Sequence, residues 1–113
     1  MLTDDARALA DKLRASKDYK TYRETKERAY ASKPTAALLD EFYALRMKAQ
    51  AASVAGTPDA ETTEKLQRLG ELLQFDAAAA EYLLAEFRLN ALLGEIYKIL
   101  AKAVDLDLGA LEA

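Results

Sequence analysis

The chain has 113 residues, about half of them apolar and a third charged, with a net charge of −3. That balance suits one soluble domain with a modest core. There is no cysteine and no histidine. This excludes disulfides, thiolate metal sites, cysteine-held iron–sulfur clusters and the usual general base near neutral pH. Alanine, leucine, glutamate and lysine dominate, all good helix formers. The only aliphatic β-branched residues are Val54, Ile96, Ile99 and Val104, so a sheet is not expected. The start, Met-Leu-Thr-Asp-Asp-Ala, lacks the basic-then-apolar pattern of a secretion signal. No apolar stretch approaches the roughly 20 residues of a membrane span. The expected location is the cytoplasm, with no membrane insertion.

In chain order, four helices are predicted. The first, near 3–30, starts at Thr3 as cap, with Asp4 and Asp5 in the turn where the helix dipole favours acid. Leu2, Ala6, Leu9, Leu13 and Ser16 form its seam, and Tyr19, Tyr22 and Tyr30 extend it. The second runs near 34–55 behind Pro34, with Leu38, Phe42, Leu45 and Ala49 inward, and ends on a left-handed Gly56. The third, near 58–74, follows Thr57 as cap and Pro58 as first residue, and carries Leu66, Leu69 and Leu73. The fourth, near 77–105, is capped by Asp76. Residues 106–113 read as a fraying tail. Short connections make neighbouring helices fold back on each other.

The fourth helix is too apolar to stand alone. One seam is Ala79, Tyr82, Leu89, Leu93, Ile96, Leu100 and Ala103; another is Leu83, Phe87, Tyr97, Ala101 and Val104. A third helix half its length cannot cover both. The fold class is therefore an all-α antiparallel array of about four helices that self-associates, in one domain over residues 1–113. Leu13, Phe42, Leu66, Leu69, Phe87, Leu89, Leu93, Ile96 and Leu100 are expected to be largely buried in the assembled protein. Tyr19, Tyr22, Tyr82, Leu89, Leu93 and Ile96 are the candidate oligomer interface.

No residue constellation performs a reaction. The carboxylate pairs Asp40–Glu41, Glu81/Glu86 and Asp105/Asp107 have no histidine to complete a bundle di-metal site; they read as solvated or salt-bridged. Glu86 lies on the apolar seam, where a carboxylate most often sits at the edge paired with a lysine or arginine; a specific partner contact is the alternative. Gly94 reads as a close helix crossing. No enzyme, cofactor, metal or small-molecule substrate is expected. Charge is uneven: residues 17–33 carry six basic and three acidic groups, whereas residues 34–113 carry seven and thirteen. The strip Lys17, Lys20, Arg23 and Lys26 is thus the candidate partner surface. With its tyrosines it admits an RNA-binding alternative, but interspersed acids and an acidic chain disfavour direct RNA binding.

Three patterns in order resemble the YlbF/YmcA family of small helical bacterial regulators, which includes YheA-like paralogues. They are Ala6-Arg-Ala-Leu-Ala-Asp-Lys-Leu-Arg-Ala-Ser-Lys-Asp-Tyr19 with Tyr22; Leu38-Leu-Asp-Glu-Phe-Tyr-Ala-Leu with Gln50 and Gly56; and Tyr82-Leu-Leu-Ala-Glu-Phe-Arg-Leu-Asn-Ala-Leu-Leu-Gly-Glu-Ile-Tyr-Lys-Ile-Leu. The resemblance implies a non-catalytic adaptor that forms dimers or larger assemblies. It implies partners such as YaaT or a paralogue, and a role in RNase Y-linked mRNA processing, with effects on competence, sporulation and biofilm formation. Some members hold iron–sulfur clusters through cysteines; this chain has none. A homo-oligomeric scaffold like the unassigned paralogues is the other reading the resemblance leaves open.

Overall fold

The computed structural model describes residues 1–106. Its helices are α1 (Leu2–Arg14), α2 (Lys17–Tyr30), α3 (Lys33–Val54), α4 (Ala60–Leu73) and α5 (Ala77–Ala103). Among the described residues there is no strand, as the helix-forming composition requires. The residues beyond 106 expected to fray lie outside the described part.

Five helices stand where four were expected, because the first divides at Ala15–Ser16. Ser16 takes extended geometry (φ −70°, ψ 152°) and its hydroxyl accepts the Tyr19 N–H at 3.2 Å. Serine competes well for such a bond, so it caps a new helix rather than continuing the seam. The later boundaries also obey their caps. Ser32 caps α3, placing Pro34 inside the first turn. Gly56 at φ +74° receives the chain after α3, the left-handed conformation glycine adopts without a Cβ clash. Thr57 is not the next cap: Asp59 is, accepting the Glu61 N–H at 3.0 Å, so α4 starts two residues later than expected. Asp76 caps α5, accepting the Ala79 N–H at 3.2 Å. It also accepts the Thr35 hydroxyl, which ties the start of α5 to the start of α3.

The core is small and off-centre. Ala29 of α2, Leu39 of α3, Leu69 and Leu73 of α4, and Ala79 and Tyr82 of α5 are buried together. Tyr22, Tyr30, Leu38, Phe42, Tyr43, Leu45 and Leu83 pack around them. The closest helix pairings are α2 with α5 and α3 with α4. The α2–α5 pair is antiparallel, since Arg28 meets Glu81 at 3.4 Å while Thr21 lies beside Arg88 along the same groove.

Of the expected core, Leu69 is buried within the chain, and Leu13, Phe42, Leu66, Leu89, Leu93 and Ile96 are half-buried. Phe87 and Leu100 are 70% and 56% exposed. Phe87 points nearly opposite to Tyr82 and Leu89 around the helix. Leu100 is on their side of the helix but stays exposed, although its neighbour Ala101 is buried. Gly94 has nothing within 4 Å of where a Cβ would stand, so in the single chain no helix crosses there.

The protein is flat, 45 × 37 × 17 Å, with a radius of gyration of 16.8 Å. A compact domain of this length has about 13 Å. Its accessible surface is 8585 Å², against about 6,100 Å² for a folded monomer of this mass. Even counting residues 107–113 as fully exposed, which adds at most about 1,100 Å², more than a thousand Å² of surplus remains. The single chain is more open than a compact domain of its mass, and large apolar side chains such as Phe87, Leu100 and Val104 are among those left exposed.

Candidate functional site

Four tyrosines mark the centre of the molecule. Tyr82 packs on Tyr22, Tyr30 and Tyr43 with ring centroids 5.7, 6.0 and 6.3 Å away. These tilted and edge-on contacts suit the ring quadrupoles. Tyr82 is only 2% exposed, so it belongs to the protomer core; its surface is already consumed, which removes it from the candidate oligomer interface. Tyr19 and Tyr22 are half-buried and line a shallow groove with Arg23, Lys26, Glu27 and Tyr30.

Beside the cluster lies the most buried charge pairing among the described residues. Glu86 accepts the Tyr43 hydroxyl at 2.6 Å and the Arg46 guanidinium at 3.0 Å. The Arg46 guanidinium also stacks 4.7 Å from the centre of the Tyr43 ring. Glu86 is thus satisfied from α3, some 40 residues away in sequence. Burial first, then the hydrogen bond to Glu86, pushes the Tyr43 phenol well above the usual tyrosine range, so it remains a donor. Burial likewise raises Tyr82 and Tyr30. The position of Glu86 on an apolar seam signalled a partner; its identity did not show in the sequence, because it depends on how α3 packs.

The basic strip is intact as a surface. Lys17, Lys20, Arg23 and Lys26 are all exposed, and none pairs with a carboxylate among the described residues. The Lys26 ammonium sits 5.8 Å over the Tyr22 ring. Glu24 and Glu27 are exposed between them, so the face carries mixed charge. Steps of three turn each residue by about 60° around the helix, and the strip winds rather than forming one plane.

The least satisfied surface is apolar. None of the residues of α1 is buried, and Leu2 and Leu9 are 87% and 41% exposed. Along α5 the face that carries Tyr82 continues through half-buried Leu89, Leu93 and Ile96 to exposed Tyr97, Leu100 and Val104. Three members of the candidate interface, Leu89, Leu93 and Ile96, therefore stand where cover runs out. Among the described residues, no histidine, cysteine or carboxylate cluster could hold a metal ion. No helix there is long and apolar enough to cross a membrane. What this arrangement can do is bind another helical surface.

The family model for control of the competence regulator ComK, YlbF/YmcA, matches residues 2–105. The chain belongs to the YlbF/YmcA family. Similar to it are a UPF0342 protein of Symbiobacterium thermophilum, 35% identical over 93% of this chain and 95% of that one, and a UPF0342 protein of Halothermothrix orenii, 30% identical over 95% and 92%. Among solved structures, the Bacillus subtilis RicA–RicF complex gives a TM-score of 0.61 at 20% identity, covering 92% of this chain and 93% of that one. That likeness is one of fold. The YlbF/YmcA helices thus match a chain crystallised in a protein complex.

Proposed function

We propose that this YlbF/YmcA-family protein is a non-enzymatic helical adaptor of the cytoplasm that self-associates and acts by contacting other proteins. The observation that carries this reading is the apolar surface left open on α1 and on the far end of α5. Patches beyond a few hundred Å² are uncommon on proteins that work alone. An adaptor needs such a surface, and a catalyst needs a cleft with convergent polar groups. The family description as control of a competence regulator supports a regulatory role. A partner drawn from RNase Y-associated proteins, such as YaaT or a paralogue, fits that role.

Two measurements test the reading. Sedimentation at micromolar concentration is expected to give a species larger than the 12.4 kDa chain. Affinity capture from the source cell is expected to recover RNase Y, YaaT or a paralogue. A protein that sediments only as a monomer and captures nothing specific would overturn it. Capture of RNA with affinity that falls steeply with salt would instead favour the nucleic-acid reading of Lys17, Lys20, Arg23 and Lys26.

A further inference from the structure

We infer that α1 packs on the far end of α5 of a second copy, so that two chains exchange their first helices across a two-fold axis. This inference rests on the proposed self-association and names its surfaces.

Four observations carry it. First, both surfaces are largely open in the single chain, with only Leu13, Leu93 and Ile96 half-buried, and both are free of charge. On α1 the arc holding Leu2, Ala6, Leu9, Ala10 and Leu13 contains no charged residue by helical geometry. On α5 the same is true of the arc holding Leu93, Ile96, Tyr97, Leu100 and Val104, with Glu95, Lys98 and Lys102 on the other side. Joining these arcs would desolvate no ion.

Second, the lengths match. The 13 residues of α1 span about 20 Å, and residues 93–104 of α5 span about 17 Å. Third, the register already exists. In the antiparallel α2–α5 pair, Arg28 stands opposite Glu81. Carrying that pairing past Ser16, one residue toward the N-terminus for each toward the C-terminus of α5, sets Leu13 beside Ile96 and Leu9 beside Leu100. Within one chain the extended Ser16 interrupts the helix and α1 makes no close pairing with α5, which leaves Leu13 and Ile96 only half-buried and Leu9 and Leu100 exposed. A second copy presents the same helix to the same groove. Reciprocal exchange fills both grooves at once and closes the assembly, which is the low-cost route to a dimer.

Fourth, the area fits. The surplus of more than a thousand Å² per chain reaches the roughly 800 Å² that each side of a stable interface contributes.

The chain has no cysteine, so introduced thiols report cleanly. Leu9→Cys and Leu100→Cys should be placed on two differently tagged copies, coexpressed, and treated with a short bis-maleimide. A linker is preferable to a disulfide, because packed helix axes lie 8–10 Å apart. The expected result is a covalent hetero-pair of twice the 12.4 kDa chain mass. Arg7→Cys with Lys98→Cys, on the charged sides, should give little. If the chains sediment as dimers but the Leu9/Leu100 pair does not cross-link between them, the exchange is wrong while self-association stands. The exchange is equally wrong if a doubly substituted chain closes only on itself. If the unmodified protein sediments solely as a monomer, the underlying reading fails as well. Leu9→Glu supplies an independent check: it is expected to lower dimer affinity at least tenfold while circular dichroism keeps the helical signal of the folded chain. Unchanged affinity would overturn the exchange.

Discussion

The two ends of α5 make opposite use of one pattern. From Ala79 to Ala85 the inward residues sit against α2 and the neighbouring helices, with Ala79, Tyr82 and Ala85 buried. From Leu93 to Val104 the same face continues with the same spacing, yet Leu100 and Val104 are largely exposed. Helical periodicity thus reports which residues favour burial. It does not report what covers them, because cover depends on the lengths and directions of other elements. Here α2 starts only at Lys17, and α1, on the other side of Ser16, makes no close pairing with α5.

The sharpest way to test this contrast is truncation at each end. Leu39 and Leu73 are fully enclosed. Leu39→Ala or Leu73→Ala is expected to cost about 2–5 kcal/mol in urea unfolding, from lost transfer energy and the cavity left behind. Leu100→Ala should change the stability of the dilute monomer by less than about 0.5 kcal/mol, as exposed substitutions do. Near-equal losses at low concentration would mean that the far end of α5 is covered within one chain.

The polar side of the covered region gives a smaller effect. Tyr43→Phe removes the 2.6 Å donor to Glu86 and leaves that mostly enclosed carboxylate to Arg46 alone. A loss of about 1–3 kcal/mol is expected. Because Arg46 and Tyr43 share Glu86, the Tyr43→Phe, Arg46→Ala double variant should not be additive. Strict additivity in melts of the four proteins would show that the three side chains do not act as one network.

Much of this was legible in residue order. Caps at Asp76, the turn at Gly56, the seam through Leu69, Leu73, Ala79 and Tyr82, and the expected pairing of Glu86 with a basic residue all follow from local chemistry. The break at Ser16 was legible too, since a serine with Asp18 two residues on is a helix-start signal. The apolar spacing of Leu9, Leu13 and Ser16 masked it. The role of Tyr82 was not legible. A tyrosine on a seam suits a core or an interface equally, and only the convergence of Tyr22, Tyr30 and Tyr43 decides for the core. Nor were the buried threonines apparent. Thr25 turns its hydroxyl back to the Thr21 carbonyl at 2.8 Å, and Thr62 donates to Asp59 at 2.8 Å. Both satisfy themselves locally and so become small core residues.

Acid should act through the caps. The Thr35 hydroxyl, then the Ala79 N–H, holds the Asp76 carboxyl below the usual carboxylate range. The Thr62 hydroxyl, then the Glu61 N–H, does the same for Asp59. A depressed folded value means that the contribution is complete above the unfolded carboxylate value near pH 4 and is lost as pH falls through the folded one. Stability should therefore decline below about pH 4. Asp76→Asn keeps a cap acceptor but cannot titrate, so it should flatten that decline. An acid limb identical to the parent would show that Asp76 does not contribute to it.

The smallest effect probes the open end of α5 directly. Gly94 lies in the helix interior with nothing within 4 Å of an added Cβ. Gly94→Ala should raise the stability of the isolated chain by up to about 1 kcal/mol, because alanine loses less backbone entropy on becoming helical. The dimer should be unaffected if the exchanged helix lies on the Leu93–Leu100 face, since Gly94 is displaced around the helix from it. Urea melts at low concentration separate the first effect, and sedimentation separates the second. A stabilised monomer with a weakened dimer would mean that a neighbouring backbone crosses at Gly94 only in the assembly. That result would move the contact from the Leu100 side of α5 toward the Gly94 side.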